Sequence, residues 1–345
     1  MPIPLLHFPY LVQKRIFELM NYCEVFVLSL CSKRMKHCVI QAKRRVPKIW
    51  YCVYPDETGI AVQEEGKRVE TILEIFEENP WLTSGKKPEK IKIGEDFIAL
   101  GTFETALNIL NQICLIRVLK YGGTLTKSLY EHVKSIYRYT EPSGLEVHIN
   151  KFTEKVPIYE NVDKILVRGK SLKLSDLDTF LSQYPNLSTL MIQPSVIGQL
   201  SDSSKILEIN NIQLSNPGHF GASLLSKFTG RNIACRDLFI TEAEIYLLIR
   251  KWMRSEAYHN LETIHFSAAP DYDLDTDLII DQLETEEFDP TKRPQWYQID
   301  YKLFNIPTSP VDFSGDNCFD VIRENDGKRA SFLSFPTFFM FLVWN

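Results

Sequence analysis

The residues that could do chemistry gather first in LSLCSKRMKHCVIQAKRR, residues 28–45, which holds Cys31, His37, Cys38 and six Lys/Arg. Three chemistries compete for it: a zinc site, a nucleic-acid arm, or the wet side of a helix. Zinc needs several thiolates and imidazoles converging on one point. Leu28, Cys31, Met35, Cys38 and Ala42 instead step by 3, 4, 3 and 4 residues, which places them on one apolar helical stripe. Cysteine on such a stripe behaves as a small hydrophobe, so the expectation is no metal. A second candidate, D-x-D-x-D at Asp271, Asp273 and Asp275, starts as a calcium loop would. Position six is Thr276 and position twelve Gln282, where such a loop needs glycine and glutamate. It reads as a solvated acidic loop. No phosphate-cradling G-x-x-x-x-G-K-[ST], dinucleotide G-x-G-x-x-G, G-x-S-x-G elbow or H-E-x-x-H occurs, and Gly122–Gly123 reads as a turn. Neither catalysis nor a cofactor is expected.

Composition sets the frame for these motifs. The chain has 345 residues, 44% apolar and 24% charged, enough for two globular domains. Residues 1–50 carry nine Lys/Arg against two acids, a net +7, so the rest of the −5 chain stands at −12. A basic face at the front would fit nucleic acid, which the acidic remainder would repel. Seven scattered cysteines without C-x-x-C fit reduced thiols, hence a cytoplasmic or nuclear setting. MPIPLLHFPYLVQKR has no basic start and is interrupted by prolines, unlike a secretory signal. SFLSFPTFFMFLVWN is too short to span a membrane and is broken by Pro336, so it reads as buried closing strands.

The expected elements follow from periodicity. Residues 5–46 read as helices: one after Pro9, a short one over 24–30, and a third from an N-cap at Ser32 to just before Pro47. IWYCVY, GIAVQ, RVETILEIF and LEVHI read as strands, and TKSLYEHVKSIYRY as a helix. From residue 160 strand-like runs recur at KILV, LSTLMI, ILEI, NIAC and LETIHF, starting 23, 19, 26 and 29 residues apart. The helical SDLDTFLSQY, GHFGASLLSKF and TEAEIYLLIRKWMRSEA lie between them. Such units read as irregular leucine-rich-repeat-like stacking, or as an ordinary parallel α/β domain. CFDVIRENDGKRASFL reads as a β-hairpin around Asp-Gly. The fold class expected is mixed α/β: three N-terminal helices, then α/β with strand–helix units and a C-terminal hairpin. Three short helices cannot enclose the apolar arc of helix 1 together with the all-round apolar EVFVLSL. That surplus must pack on the rest of the chain or on another protein.

LLHFPYLVQKRIFELMNYCEVFVLSLCSKRMKHCV resembles an F-box. Phe8-Pro9 stands at that family's Leu-Pro, Val12 and Ile16 at its aliphatics, and Met20 at the helix end. Phe26, Leu28, Ser29, Cys31, Ser32 and Arg34 match its second and third helices. Phe8 departs from the usual leucine, and Met35 stands where many members carry tryptophan. SLCSKR is similar to nematode F-box proteins. ILEINNIQLSNPGHFGASLL, DLFITEAEIYLLIRKWMRSEAYHNLETIHF and the closing FDVIRENDGKRASFL resemble their type 2 F-box-associated domain. The resemblance implies domains at 1–46 (F-box), 47–158 (mixed α/β) and 159–345 (F-box-associated). It implies a non-enzymatic substrate adaptor of a Skp–cullin–F-box ubiquitin ligase, without cofactors. A Skp-type partner would bind Leu6, Pro9, Leu11, Val12, Ile16, Met20, Phe26, Leu28 and Leu30, and a protein substrate would bind the C-terminal region. The alternatives are a nucleic-acid binder using 33–45 and an interaction scaffold outside any ligase.

Overall fold

Three helices come first, then a run of strands, in this computed structural model. It describes residues 5–64, 69–77, 89–93, 97–107, 112–118, 123–152, 158–300, 303 and 309–344. The chain forms two compact units, Met1–Val162 and Asp163–Asn345.

The first unit opens with α1 (Tyr10–Leu19), α2 (Tyr22–Cys31) and α3 (Lys33–Ala42). Each boundary has a local cause. Pro9 sits at the N-cap of α1, with φ −54° and ψ 148°, where its missing N–H costs nothing. Asn21 and Glu24 form a capping box at the head of α2. Ser32, extended at φ −164°, accepts from the Met35 N–H and starts α3. Lys43 ends α3 in the left-handed region at φ 51°. The expected single stripe from Leu28 to Ala42 is therefore broken at Ser32. Cys31 is exposed, and the side chains α3 buries are Val39 and Ala42. Arg44 and Arg45 also lie beyond the helix, not in its last turn.

Strands β1 (Arg45–Val46), β2 (Lys48–Val53), β3 (Glu57–Gln63), β4 (Val69–Glu77), β5 (Glu89–Ile93), β6 (Phe97–Leu107) and β7 (Gln112–Val118) follow. Helix α4 (Gly123–Ile136), β8 (Arg138–Tyr139) and β9 (Ser143–His148) complete the unit. Gly123 thus opens a helix, whereas Gly122 lies outside the described residues. Among the described residues the sheet runs β9-β2-β3-β4-β7-β6-β5, parallel at β9/β2 and β4/β7 and antiparallel elsewhere. Every residue of β2 is buried, as expected of a strand covered on both faces.

The second unit carries a parallel ladder. Strands β10 (Val162–Arg168), β12 (Thr189–Ile192), β14 (Asn211–Leu214), β15 (Asn232–Leu238) and β16 (Thr263–Ala268) pair in that order. The short β11 (Ser171–Lys173) and β13 (Ser195–Ile197) pair beside them. Helices α5 (Leu174–Leu181), α6 (Gly218–Lys227) and α7 (Glu242–Met253) occupy the connections. Register stacks Ile165, Leu190, Ile212, Ile233 and Ile264 into one apolar row, none more than 1% exposed. On the opposite face Lys164, Thr189, Asn211, Asn232 and Thr263 stack into a buried polar row. Thr263 donates to Asn232 Oδ1 (2.7 Å), Asn232 to Asn211 Oδ1 (2.9 Å), and Asn211 to the Ser188 carbonyl (3.0 Å). Buried amides are tolerated only when paired, and this row pairs them strand to strand.

One expected strand is corrected. ILEI forms a 3-10 turn over Lys205–Glu208, and the ladder strand follows at NIQL. Asp178 Oδ1 accepts from Ser204 Oγ (2.8 Å) and the Lys205 N–H (2.9 Å), pinning that stretch as a turn. The acidic segment holds α8 (Thr276–Ile280), with Asp275 as its N-cap. Strands β17 (Trp296–Tyr297) and β18 (Val311–Asp312) form a small antiparallel pair. The final strands β19 (Cys318–Ile322), β20 (Arg329–Phe335) and β21 (Phe338–Val343) are antiparallel, with β21 against β16. SFLSFPTFFMFLVWN therefore does supply two buried strands, turning at Pro336. The Asp-Gly hairpin is present with a six-residue loop from Arg323 to Lys328, and Gly327 takes φ 69° there.

Candidate protein-docking surface on the N-terminal helices

Helix α1 buries one side chain, Phe17, and leaves a large apolar face open. At about 100° per residue, Leu19, Val12, Leu11 and Ile16 lie roughly 100–160° around the helix from Phe17. Leu11 is 74% exposed, Leu19 71% and Val12 43%, with Phe8 (37%) just before the helix, while Tyr10, 49% exposed, lies about 20° from Phe17 on the side facing α3. Pro9 is exposed, whereas Leu6, Ile16, Met20, Leu28 and Leu30 are half-buried. Isolated exposed leucines are ordinary, whereas several on one helix face form a patch of the kind that interaction surfaces use.

The patch is held rigidly from beneath. Tyr10 Oη donates to the Gln41 carbonyl at 2.9 Å, tying α1 to α3. Arg44 donates to the Phe17 carbonyl and stacks on the Tyr22 ring at 4.3 Å. Helix α2 supplies the other support, because it packs on β4, β5, β7 and α4. Phe26 is fully buried, edge-on to His132 at 5.6 Å, so it underpins the surface instead of belonging to it. Ser29 Oγ lies 2.8 Å from His132 Nε2, and the Tyr137 hydroxyl donates to the Tyr22 carbonyl at 2.6 Å. Burial, with a smaller contribution from Lys36, pulls the His132 pKa down to about 4. The Cys114 thiol, hydrogen-bonded to Cys23 and desolvated, is pushed well above the usual range and stays protonated.

Of the residues expected to bind a partner, Leu11, Val12 and Pro9 are exposed, and Leu6, Ile16, Met20, Leu28 and Leu30 half-buried. Phe8, Tyr10 and Leu19, also exposed, were not among them. The zinc trio does not assemble: Cys31 Sγ reaches the Val27 carbonyl, and His37 pairs with Gln41 at 2.9 Å. Among the described residues no three His, Cys, Asp or Glu side chains converge as metal ligands.

Residues 5–46 match the F-box domain. The match covers the three helices and the patch they carry. Behind the F-box, similarity continues along the chain: it is 20% identical over 360 residues to the Caenorhabditis elegans "Uncharacterized protein F59B2.8". That alignment covers 99% of this chain and 78% of the relative. No solved structure matches. Among the described residues no helix is long and apolar enough to cross a membrane.

Proposed function

We propose that the protein is a non-catalytic substrate adaptor of a Skp–cullin–F-box ubiquitin ligase. The observation that carries this reading is the F-box match together with the open apolar face of α1 within it. A Skp-type partner would cover Leu11, Val12 and Leu19, with Pro9 and the half-buried Leu6, Ile16, Met20, Leu28 and Leu30 at the margin. The unit from Asp163 onward would hold the substrate, in keeping with the resemblance of its sequence to the type 2 F-box-associated domain. Its contribution is proximity: a tethered substrate lysine meets charged ubiquitin at a raised effective concentration, with no bond made by this chain. The setting is cytoplasmic or nuclear.

The test is co-purification with a Skp-type adaptor, comparing wild type with Leu11→Asp/Val12→Asp. Wild type should recover the adaptor and the variant should not. Absence of adaptor from wild type, or equal recovery by both, would overturn the reading.

A further inference from the structure

A cleft of about 510 Å³ opens beside the F-box, where the ends of α1 and α3 meet the β1/β8 pair. Five cations line it (Lys14, Lys43, Arg44, Arg45 and Arg138) with one carboxylate, Glu18. That carboxylate is already engaged by Arg15 at 3.2 Å and Lys14 at 3.9 Å. Arg44 is spent on the Phe17 carbonyl and the Tyr22 ring, whose hydroxyl reaches Glu64 at 3.4 Å. Arg45 and Arg138 are direct register partners in the parallel β1/β8 ladder. Like charges placed opposite each other across two strands destabilise the pair. Among the described residues, no carboxylate ion-pairs with Arg45, Arg138 or Lys43 to relieve this.

Arg45, Arg138 and Lys43 are exposed, so water and salt screen much of their mutual repulsion, and an anion between them would relieve what remains. Concave clefts lined by one sign of charge focus the field and concentrate counter-ions. Guanidinium forks match phosphate oxygens two at a time, which ammonium groups cannot do. The volume falls within the usual range for small-molecule sites, about 300–1,000 Å³. A nucleic-acid track would need the charge to continue as a stripe. The remaining α3 cations, Lys33, Arg34 and Lys36, cluster at the far end of the helix, with Lys33 roughly 15 Å from Lys43 at 1.5 Å per residue. We propose that this cleft binds a small, multiply charged phosphate-bearing anion, gripped by Arg45 and Arg138 and closed over by Lys14 and Lys43. The proposal stands apart from the adaptor reading, because it uses none of the exposed apolar face.

The experiment is calorimetric titration of the full chain with inorganic phosphate, pyrophosphate and tripolyphosphate. Affinity should rise along the series and fall with added salt. Arg45→Gln/Arg138→Gln should weaken tripolyphosphate binding by about tenfold or more, since charge-assisted bidentate contacts are lost. Lys33→Gln/Arg34→Gln, at the far end of α3, should leave it within about twofold. If the arginine pair fails to fold, Lys43→Gln, on an exposed side chain, must still weaken binding. Phosphatidylcholine vesicles with and without phosphatidylinositol bisphosphate distinguish the source. Recruitment competed by tripolyphosphate places a lipid headgroup in the cleft, and no recruitment leaves a free anion. Failure of wild type to bind tripolyphosphate overturns the proposal. So does equal weakening by the Lys33/Arg34 variant, or a preference for duplex RNA over tripolyphosphate.

Discussion

Truncating Leu11 and Leu19 together to alanine separates binding by the proposed docking face from the stability of the fold. Fully burying a leucine contributes about 1.5–3 kcal/mol. These two are 74% and 71% exposed, so most of that remains to be gained on binding, roughly 1–2 kcal/mol each. Alanine keeps the Cβ, which puts the pair near the lower end, at about 2–3 kcal/mol. At 1.4 kcal/mol per decade, the dissociation constant for a purified Skp-type adaptor should rise about 30- to 150-fold. Because neither side chain supports the core, the unfolding free energy of the isolated protein in urea should stay within about 0.5 kcal/mol of wild type. Titration calorimetry reads the first quantity and urea unfolding the second. A loss of affinity below about threefold with the fold intact would refute the assignment of this face. Phe26→Ala is the contrasting case: at 0% exposure it should cost about 3–5 kcal/mol of stability, so lost binding there would carry no information.

Three further outcomes test the frame. Asp320 and Arg293 form a buried pair at 2.8 Å, with Arg293 also donating to the Phe313 carbonyl and Asp320 accepting from Ser331 and Arg329. Asp320→Ala should therefore cost about 3–5 kcal/mol in urea unfolding, and Arg293→Met/Asp320→Leu clearly less, because no lone charge stays buried. His132, lowered to about 4, is neutral when folded, so its contribution is full above its unfolded pKa near 6.5 and is lost as pH falls towards 4. Wild type should lose about 2 kcal/mol at pH 5 from this group, and His132→Gln should flatten that part of the profile; His265, lowered likewise by burial, adds a second loss in the same window. Gly144 sits opposite Trp50, and a Cβ there would enter the indole. Gly144→Ala should lower the thermal midpoint, at a cost of about 1–3 kcal/mol.

Much of this was legible in the residues because local signals agreed with the fold. Ser32 as N-cap, the buried closing strands around Pro336 and the alternation of strands and helices after 160 all follow from short-range chemistry. What was missed depended on distant partners. Nothing within ILEI reveals that Asp178, some 27 residues earlier, pins it as a turn. Phe26 looked like surface because three helices alone cannot bury it, and its cover comes from α4, about a hundred residues away. The polar row had no signal in the sequence: its Asn and Thr side chains look unremarkable one by one, and only strand register shows that they form one chain of hydrogen bonds. The basic cleft escaped for the same reason: Arg138 meets Arg45 through a ladder that no local pattern announces.

The way α2 is covered has a consequence for how this protein can be cut or recombined. Cys23, Val25, Phe26 and Ser29 are buried, with His132, Tyr137 and the faces of β4 and β7 as neighbours. A fragment ending at residue 46 would present that side of the helix to water and should aggregate or melt. The three helices are thus not an interchangeable cassette. Grafting them onto a foreign partner would require carrying the sheet along, so the exposed face of α1 and its foundation are inherited together.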